Sequence, residues 1–258
     1  MSEISDQSNT NEIIFRGGYP ALVQQKIDPQ DFFPSYIQTY LERDVRQIKN
    51  ILDLHKFKQF IKLCAGRVGQ LINITNLAQE AEISTITAKS WLGALEASYI
   101  IFFIHPYHKN FSKRIVKTAK LYFYDTGLVC NLLGIESATQ VETHFARGSL
   151  FENLSILELM KERLNDGKEP NLYFWSDKSG HEVDIIAEWG DSINAIEIKS
   201  SSTLKSEHLS NLDYFAQLAK LDKTLKINRF LIYNGQQEGA FLSTSLVPLG
   251  KIKELMIH

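Results

Sequence analysis

The sequence predicts a mixed α/β chain: a helical first half that closes on two strands, then a layer domain built on a strand sheet flanked by helices. Three observations predict it. Apolar residues recur at helical spacing through the first hundred residues. Two aromatic and β-branched runs, 99–105 and 120–125, follow them. After Ser149 the order becomes helix, three strands, helix, strand. The 258 residues suit two compact domains, and 44% apolar against 22% charged residues is enough to build cores.

Residues 1–12 are polar, without the basic flank and apolar stretch of a signal peptide, and read as a disordered leader. Residues 13–54 read as a helical linker. It opens on the turn signal Gly17-Gly18-Tyr19-Pro20 and continues as a helix from Pro34 to Leu54. Residues 55–125 read as a winged helix-turn-helix. A helix over 56–65 ends at Gly66 and Gly69. A second is capped by Thr75, and a third, capped by Ser84, is buried through Ala88, Leu92 and Leu95. The two strands then form the wing. Residues 126–145 read as a connector.

The layer domain spans 146–258. It opens with an amphipathic helix over 149–164. Strands follow at 172–176, 182–189 and 192–200, with Asp177-Lys178-Ser179-Gly180 and Gly190-Asp191 as their turns. A helix over about 206–220 and strands at 228–233 and 241–249 complete it.

Composition excludes several classes. No apolar run reaches the ~18 residues of a membrane span. Cys64 and Cys130 have no C-x-x-C spacing, which argues against a zinc ribbon or a disulfide framework. The chain reads as cytoplasmic. Its net charge of -2 means that any nucleic-acid affinity is local. No G-x-x-x-x-G-K-[ST] is present: Gly167-Lys168 and Gly250-Lys251 are not followed by Ser or Thr, so no ATP binding is expected.

The residues with chemistry are Asp184, Glu197 and Lys199. Glu197 and Lys199 are two apart on one strand and share a face; a short hairpin would bring Asp184 beside them. An E-x-K pair is commonly a solvated strand face, but these charges sit in the apolar runs VDII and AIEIKS, where they are costly without a partner or a metal. Two hard oxygen ligands suit Mg²⁺ or Mn²⁺, and the lysine suits a developing phosphate charge. Glu152 on the preceding helix would add a fourth group.

A basic segment runs from Ala97 to Tyr124 without Asp or Glu. It carries Lys109, Lys113, Arg114, Lys117 and Lys120, interleaved with Tyr107 and Phe111. Lys89 faces outward on the third helix. Contact with DNA phosphates is one reading, docking on an acidic protein the other. Trp91 and Trp175 read as core, and His181 and His208 as surface or structural residues.

The motif Gly180-x-x-x-Asp184 with Glu197-Ile198-Lys199 resembles the PD-(D/E)XK nuclease signature, with Glu152 where many such nucleases place a helix carboxylate. GGYP (17–20), YLERDV (40–45), the run 77–102, KRIVKTAKLYFYDTGL (114–128), GSLFENL (148–154), FWSDKSGHEVDIIAE (174–188) and AIEIKSSS (195–202) together resemble the C-terminal part of an uncharacterised family of prokaryotic AAA-type ATPases. The resemblance covers about residues 15–258. It implies a winged helix followed by a restriction-endonuclease-like domain, without the ATPase domain, with 13–54 as the end of the ATPase region. The expected function is DNA binding with metal-dependent nuclease chemistry. The alternative is a non-catalytic nucleic-acid- or protein-interaction module regulating a partner ATPase.

Overall fold

The computed structural model describes residues 10–41, 53–107, 118–219 and 226–257. The chain is mixed α/β, with a helical N-terminal part and a mixed sheet of eight strands. It divides into two compact units. Among the described residues, a helical unit holds 10–103 and 120–154, and a sheet unit holds 104–107, 118–119 and 155–257. No helix among the described residues is long and apolar enough to cross a membrane.

The helical unit begins with α1 (Thr10–Arg16), α2 (Pro20–Gln25) and α3 (Pro29–Tyr36). Pro20 and Pro29 each stand at a helix start, where a missing N–H costs nothing. The Asp28 carboxylate accepts from Gln30 N–H at 2.9 Å and caps α3. The helix expected from Pro34 onward therefore begins earlier, at Pro29, and passes through Pro34 into a π-type turn at Ile37–Leu41. Residues 42–52 lie outside the described residues.

Three further helices follow: α4 (Leu54–Ala65), α5 (Ile74–Glu80) and α6 (Thr85–Ala97). Ser84 caps α6 as expected, its Oγ accepting from Thr87 N–H at 3.0 Å. The cap of α5 is Asn73 rather than Thr75, its Oδ1 accepting from Asn76 N–H at 3.1 Å. Trp91 is a core residue, packed edge-on against Phe57 and Phe60 with centroids 5.2 and 5.3 Å away. The strands β1 (Ile101–Pro106) and β2 (Lys120–Phe123) follow, and Leu71 forms an antiparallel bridge to Lys120. The expected connector carries two short helices, α7 (Thr126–Leu132) and α8 (Ala138–Thr143). Then comes α9 (Arg147–Asn165).

One carboxylate ties this unit together. Asp125 follows β2 and caps α7, its Oδ1 accepting from Leu128 N–H at 2.8 Å. Its Oδ2 accepts from Gly18 N–H at 2.7 Å, 107 residues earlier in the chain. The fit leaves no room for side chains. Gly17 has φ +72°, and a Cβ there would run into the Asp125 carboxylate; a Cβ on Gly127 would lie 2.7 Å from the Arg16 carbonyl oxygen. Asn153, fully buried on α9, holds β2 in the manner of a neighbouring strand. It accepts from Phe123 N–H at 2.9 Å and donates to Phe123 C=O at 2.8 Å.

The sheet unit is ordered β3-β4-β5-β6-β8-β7: β3 (Leu172–Ser176), β4 (Glu182–Trp189), β5 (Ser192–Lys199), β6 (Lys226–Tyr233), β7 (Gly239–Phe241) and β8 (Thr244–Pro248). The end of β1 runs parallel to β3. β3, β4 and β5 form an antiparallel meander, while β5, β6 and β8 are parallel. The single strand expected over 241–249 is instead the β7–β8 hairpin followed by a 3₁₀ segment. Between β5 and β6 lie a 3₁₀ turn, Ser206–Leu209, and α10 (Ser210–Ala219). Leu212, Phe215 and Ala219 of α10 pack on Trp175, Val183, Ile186, Ala195 and Leu231.

The Gly17–Asp125 clasp predicts that Gly17→Ala destabilises the helical unit. The left-handed backbone alone costs roughly 1–2 kcal/mol for an L-residue, and displacement of the carboxylate adds to it. Thermal melts should show the loss as a drop of several degrees; an unchanged melting temperature would show that the turn is not held by Asp125.

Candidate functional site

β4 and β5 are neighbours, and the three charged residues singled out in the sequence meet on them. Glu197 and Lys199 share a face of β5, and Lys199 Nζ lies 2.5 Å from Glu197 Oε1. The same ammonium lies 3.8 Å from Asp184 Oδ2. Asp184 and Glu197 are 9% and 4% exposed, whereas the Lys199 side chain keeps 33% of its surface. The trio is therefore a buried carboxylate pair answered by one cation that opens to solvent.

A register shift positions Asp184. Tyr173 pairs with Ile186 and Trp175 with Val183, so two residues of β3 are matched by three of β4, as in a β-bulge. The ladder between β4 and β5 runs from Trp189–Ser192 only to Ile185–Ile196. Past that point the Asp184 side chain takes over, with Oδ2 accepting from Ile198 N–H at 2.8 Å. The carboxylate thus replaces a main-chain acceptor at the end of the ladder.

The site lies at the carboxyl ends of β3, β5 and β6, where Lys199 stands opposite Tyr233 and its carbonyl accepts from Asn234 N–H at 3.3 Å. In open α/β sheets this is the end that receives ligands. The 3₁₀ turn after β5 places His208 here. Burial, and then the nearby Lys199 ammonium, push its imidazole below its ordinary pKa.

The donor set passes a chemical test for a hard divalent cation. Mg²⁺ is commonly held by one or two carboxylates with water and substrate phosphate supplying the rest. Asp184 and Glu197 supply two such groups. Among the described residues no cluster of three or more His, Cys, Asp or Glu could hold a metal by itself.

The other expected residues have different surroundings. Glu152 belongs to the helical unit, where its Oε1 takes the Tyr122 hydroxyl and lies 3.5 Å from Lys120 Nζ. Lys120, counted from the sequence as part of a basic face, is 3% exposed and committed to that ion pair. Tyr107, read as an aromatic interleaved among the basic residues, is 2% exposed and donates to Glu188 Oε1 at 2.9 Å. Lys89 is exposed on α6, beside Ile86 at 81% exposure. Lys109, Lys113, Arg114 and Lys117 lie outside the described residues. Both cysteines are buried, and burial raises their pKa values, that of Cys130 up to about 12, which makes them inert thiols.

Sequence reasoning passed over one arrangement. The turn before β4 pairs Asp177 with His181, whose ring stacks on Tyr214 of α10 with centroids 3.9 Å apart and planes at 15°. An Asp four residues before a His was a weak signal, read only as turn chemistry.

Two family models match the chain. Residues 7–139, more than half of it, match a domain of unknown function, DUF8612; residues 147–252 match a second, DUF4143. Uncharacterized proteins of Mycobacterium tuberculosis and Mycobacterium bovis are each 29% identical over 199 residues, covering 76% of this chain. The match spans 44% of each relative's length. No solved structure matches.

The geometry predicts that Lys199→Met moves the His208 titration upward, back toward that of an ordinary histidine, because the second cause of its depression is removed. An NMR titration of the ring reads this directly; an unmoved curve would place the ammonium away from the ring.

Proposed function

We propose, for a chain that belongs to the family of the domain of unknown function DUF8612, that its sheet unit is a metal-dependent phosphodiesterase module of PD-(D/E)XK type working with an AAA-type ATPase. The observation that carries this reading is the buried Asp184–Glu197 pair, joined by a solvent-open Lys199 at the ligand-receiving end of the sheet. Each buried carboxylate is costly unless it is paired or bound to a metal.

In this reading Asp184 and Glu197 hold Mg²⁺ or Mn²⁺. Bound there, such an ion polarises a phosphoryl oxygen and lowers the pKa of its water. Asp184 is oriented by its bond from Ile198 N–H, so its position does not depend on the ion. Lys199 reaches both carboxylates, and its partly exposed ammonium would be the group to stabilise a phosphate charge. Asp184 and Glu197 are themselves 9% and 4% exposed, and low exposure strengthens each charge interaction.

The helical unit supplies the second half of the proposal. Its three helices, the Leu71 bridge and the β1 and β2 strands have the order of a winged helix, with Lys89 outward on the third helix. We read it as a backbone-contacting DNA binder through Lys89, and we propose Lys109, Lys113, Arg114 and Lys117, which lie outside the described residues, as further phosphate contacts of the chain. α6 offers few groups for reading base edges, so little sequence preference is expected.

A second reading is favoured by one observation. Lys199 already lies within ion-pair distance of both carboxylates, as it would in a purely structural ion cluster. The sheet unit would then be a non-catalytic module that regulates a partner ATPase.

Melts with and without Mn²⁺ separate the two. The first reading expects stabilisation of about 2.7 kcal/mol at a hundredfold excess over the dissociation constant, abolished by Asp184→Asn. No shift in the wild type favours the ion cluster. For DNA binding by the chain, each phosphate contact adds about 0.9 to the slope of log affinity against log salt on duplex DNA. Changing Lys109, Lys113, Arg114 and Lys117 together to Ala should flatten that slope, and an unchanged affinity would point to a protein partner.

A further inference from the structure

The β3–β4 turn carries a group that the carboxylate pair does not use. His181 Nδ1 lies 3.3 Å from Asp177 Oδ2. Asp177 is itself fixed, its Oδ1 accepting from Ser179 N–H at 2.8 Å and from His181 N–H at 3.0 Å. Burial pushes the Asp177 carboxyl up, but these bonds and the imidazole outweigh it and hold it below its ordinary pKa. It is therefore a carboxylate, an acceptor only, and His181 must present Nδ1–H to it. Stacking on Tyr214, which packs in turn near Trp175, fixes the plane of the ring. The side chain keeps 37% of its surface, and Nε2 is the ring nitrogen that does not face Asp177.

The location matters as much as the dyad. His181 immediately precedes β4, three residues before Asp184, and stacks on the helix that packs against the face carrying Ala195 and Leu231. Three extended residues span ~10 Å, a gap that an aspartate, a bound phosphate and an imidazole can bridge between them. The other groups at this end are already committed. Lys199 is an ammonium held by two carboxylates, and the Nδ1 of His208 is buried without a hydrogen-bond partner, so no carboxylate orients its ring as Asp177 orients His181. A phosphodiesterase here requires a proton acceptor, and the trio does not supply one.

We propose that His181, oriented by Asp177, is the general base of this site, accepting on Nε2 a proton from the water that attacks a nucleic-acid phosphodiester. The inference rests on the phosphodiesterase reading given above. The new bond forms between the water oxygen and phosphorus as the bond from phosphorus to the leaving sugar oxygen breaks. The water's proton goes to Nε2, and Asp177 stabilises the resulting imidazolium. The leaving oxygen takes a proton from solvent, and His181 returns its own to solvent, so the products are a phosphomonoester and an alcohol. The roles match the orienting carboxylate and base of hydrolytic triads.

The test compares wild type, Lys199→Ala, His181→Ala and Asp177→Asn on a labelled DNA oligonucleotide with Mn²⁺. General-base loss should lower kcat by about 10²–10⁴-fold in His181→Ala with KM nearly unchanged, and added imidazole should restore part of it. Rescue also shows that the variant is folded. Independently of activity, ¹⁵N-histidine NMR at pH 8 should show Nδ1–H with a bare Nε2 at His181, a preference lost in Asp177→Asn. A wild type in which Nε2 carries the proton overturns the inference. Cleavage lost in Lys199→Ala but kept in His181→Ala overturns the inference alone. No Mn²⁺-dependent cleavage by the wild type overturns the phosphodiesterase reading and the inference with it.

Discussion

Two carboxylates near the end of an apolar sheet must be answered by positive charge, and Lys199 answers both. Much of the sheet unit follows from that constraint. The strands lose their regular ladder where Asp184 enters, and the register shift against β3 gives the room. The carboxylate then returns to Ile198 the hydrogen bond that the ladder no longer provides. A partly desolvated charge cluster of this kind is sensitive to loss of the Lys199 ammonium. Removal of a partner would leave a buried charge, which costs far more than the pair contributes.

The helical unit solves a related problem with neutral donors. Asp125 is 4% exposed, yet both of its oxygens accept main-chain N–H bonds, one at the start of α7 and one at Gly18. Two such donors favour the charged form of a buried carboxylate. The glycines around it are required by contact rather than by flexibility, because each would otherwise place a Cβ against the carboxylate or against the Arg16 carbonyl. Asn153 does comparable work at β2 with an amide, donating and accepting at one residue.

The sequence made much of this legible. Apolar runs bounded by turn residues in 172–200 marked three strands almost to the residue, and the two-residue spacing of Glu197 and Lys199 placed them on one face. Long-range contacts were not legible. Lys120 looked like one more cation in a basic run, because nothing local shows that Glu152 arrives beside it 32 residues later. Tyr107 was counted with the same run, although its hydroxyl meets Glu188 across the sheet unit. The β7–β8 hairpin was missed for a chemical reason. Its turn places Leu242 at φ +55°, where glycine or asparagine is the usual signal. The Asp177–His181 dyad was hidden because the stacking partner, Tyr214, is 33 residues away, and a histidine without metal-ligand spacing carries no mark of orientation.

The Gly18–Asp125 bond also sets an order of events during synthesis. At 5–20 residues per second, the ribosome needs roughly 5–20 s to add the 107 residues between the two partners. Throughout that interval α1 and α2 exist without the carboxylate that fixes their junction, and Ile14 and Leu22, almost fully buried in the finished unit, lack part of their cover. Native contacts of such sequence separation form late. The nascent N-terminal helices are therefore the stretch of this unit in which a chaperone has the longest opportunity to bind.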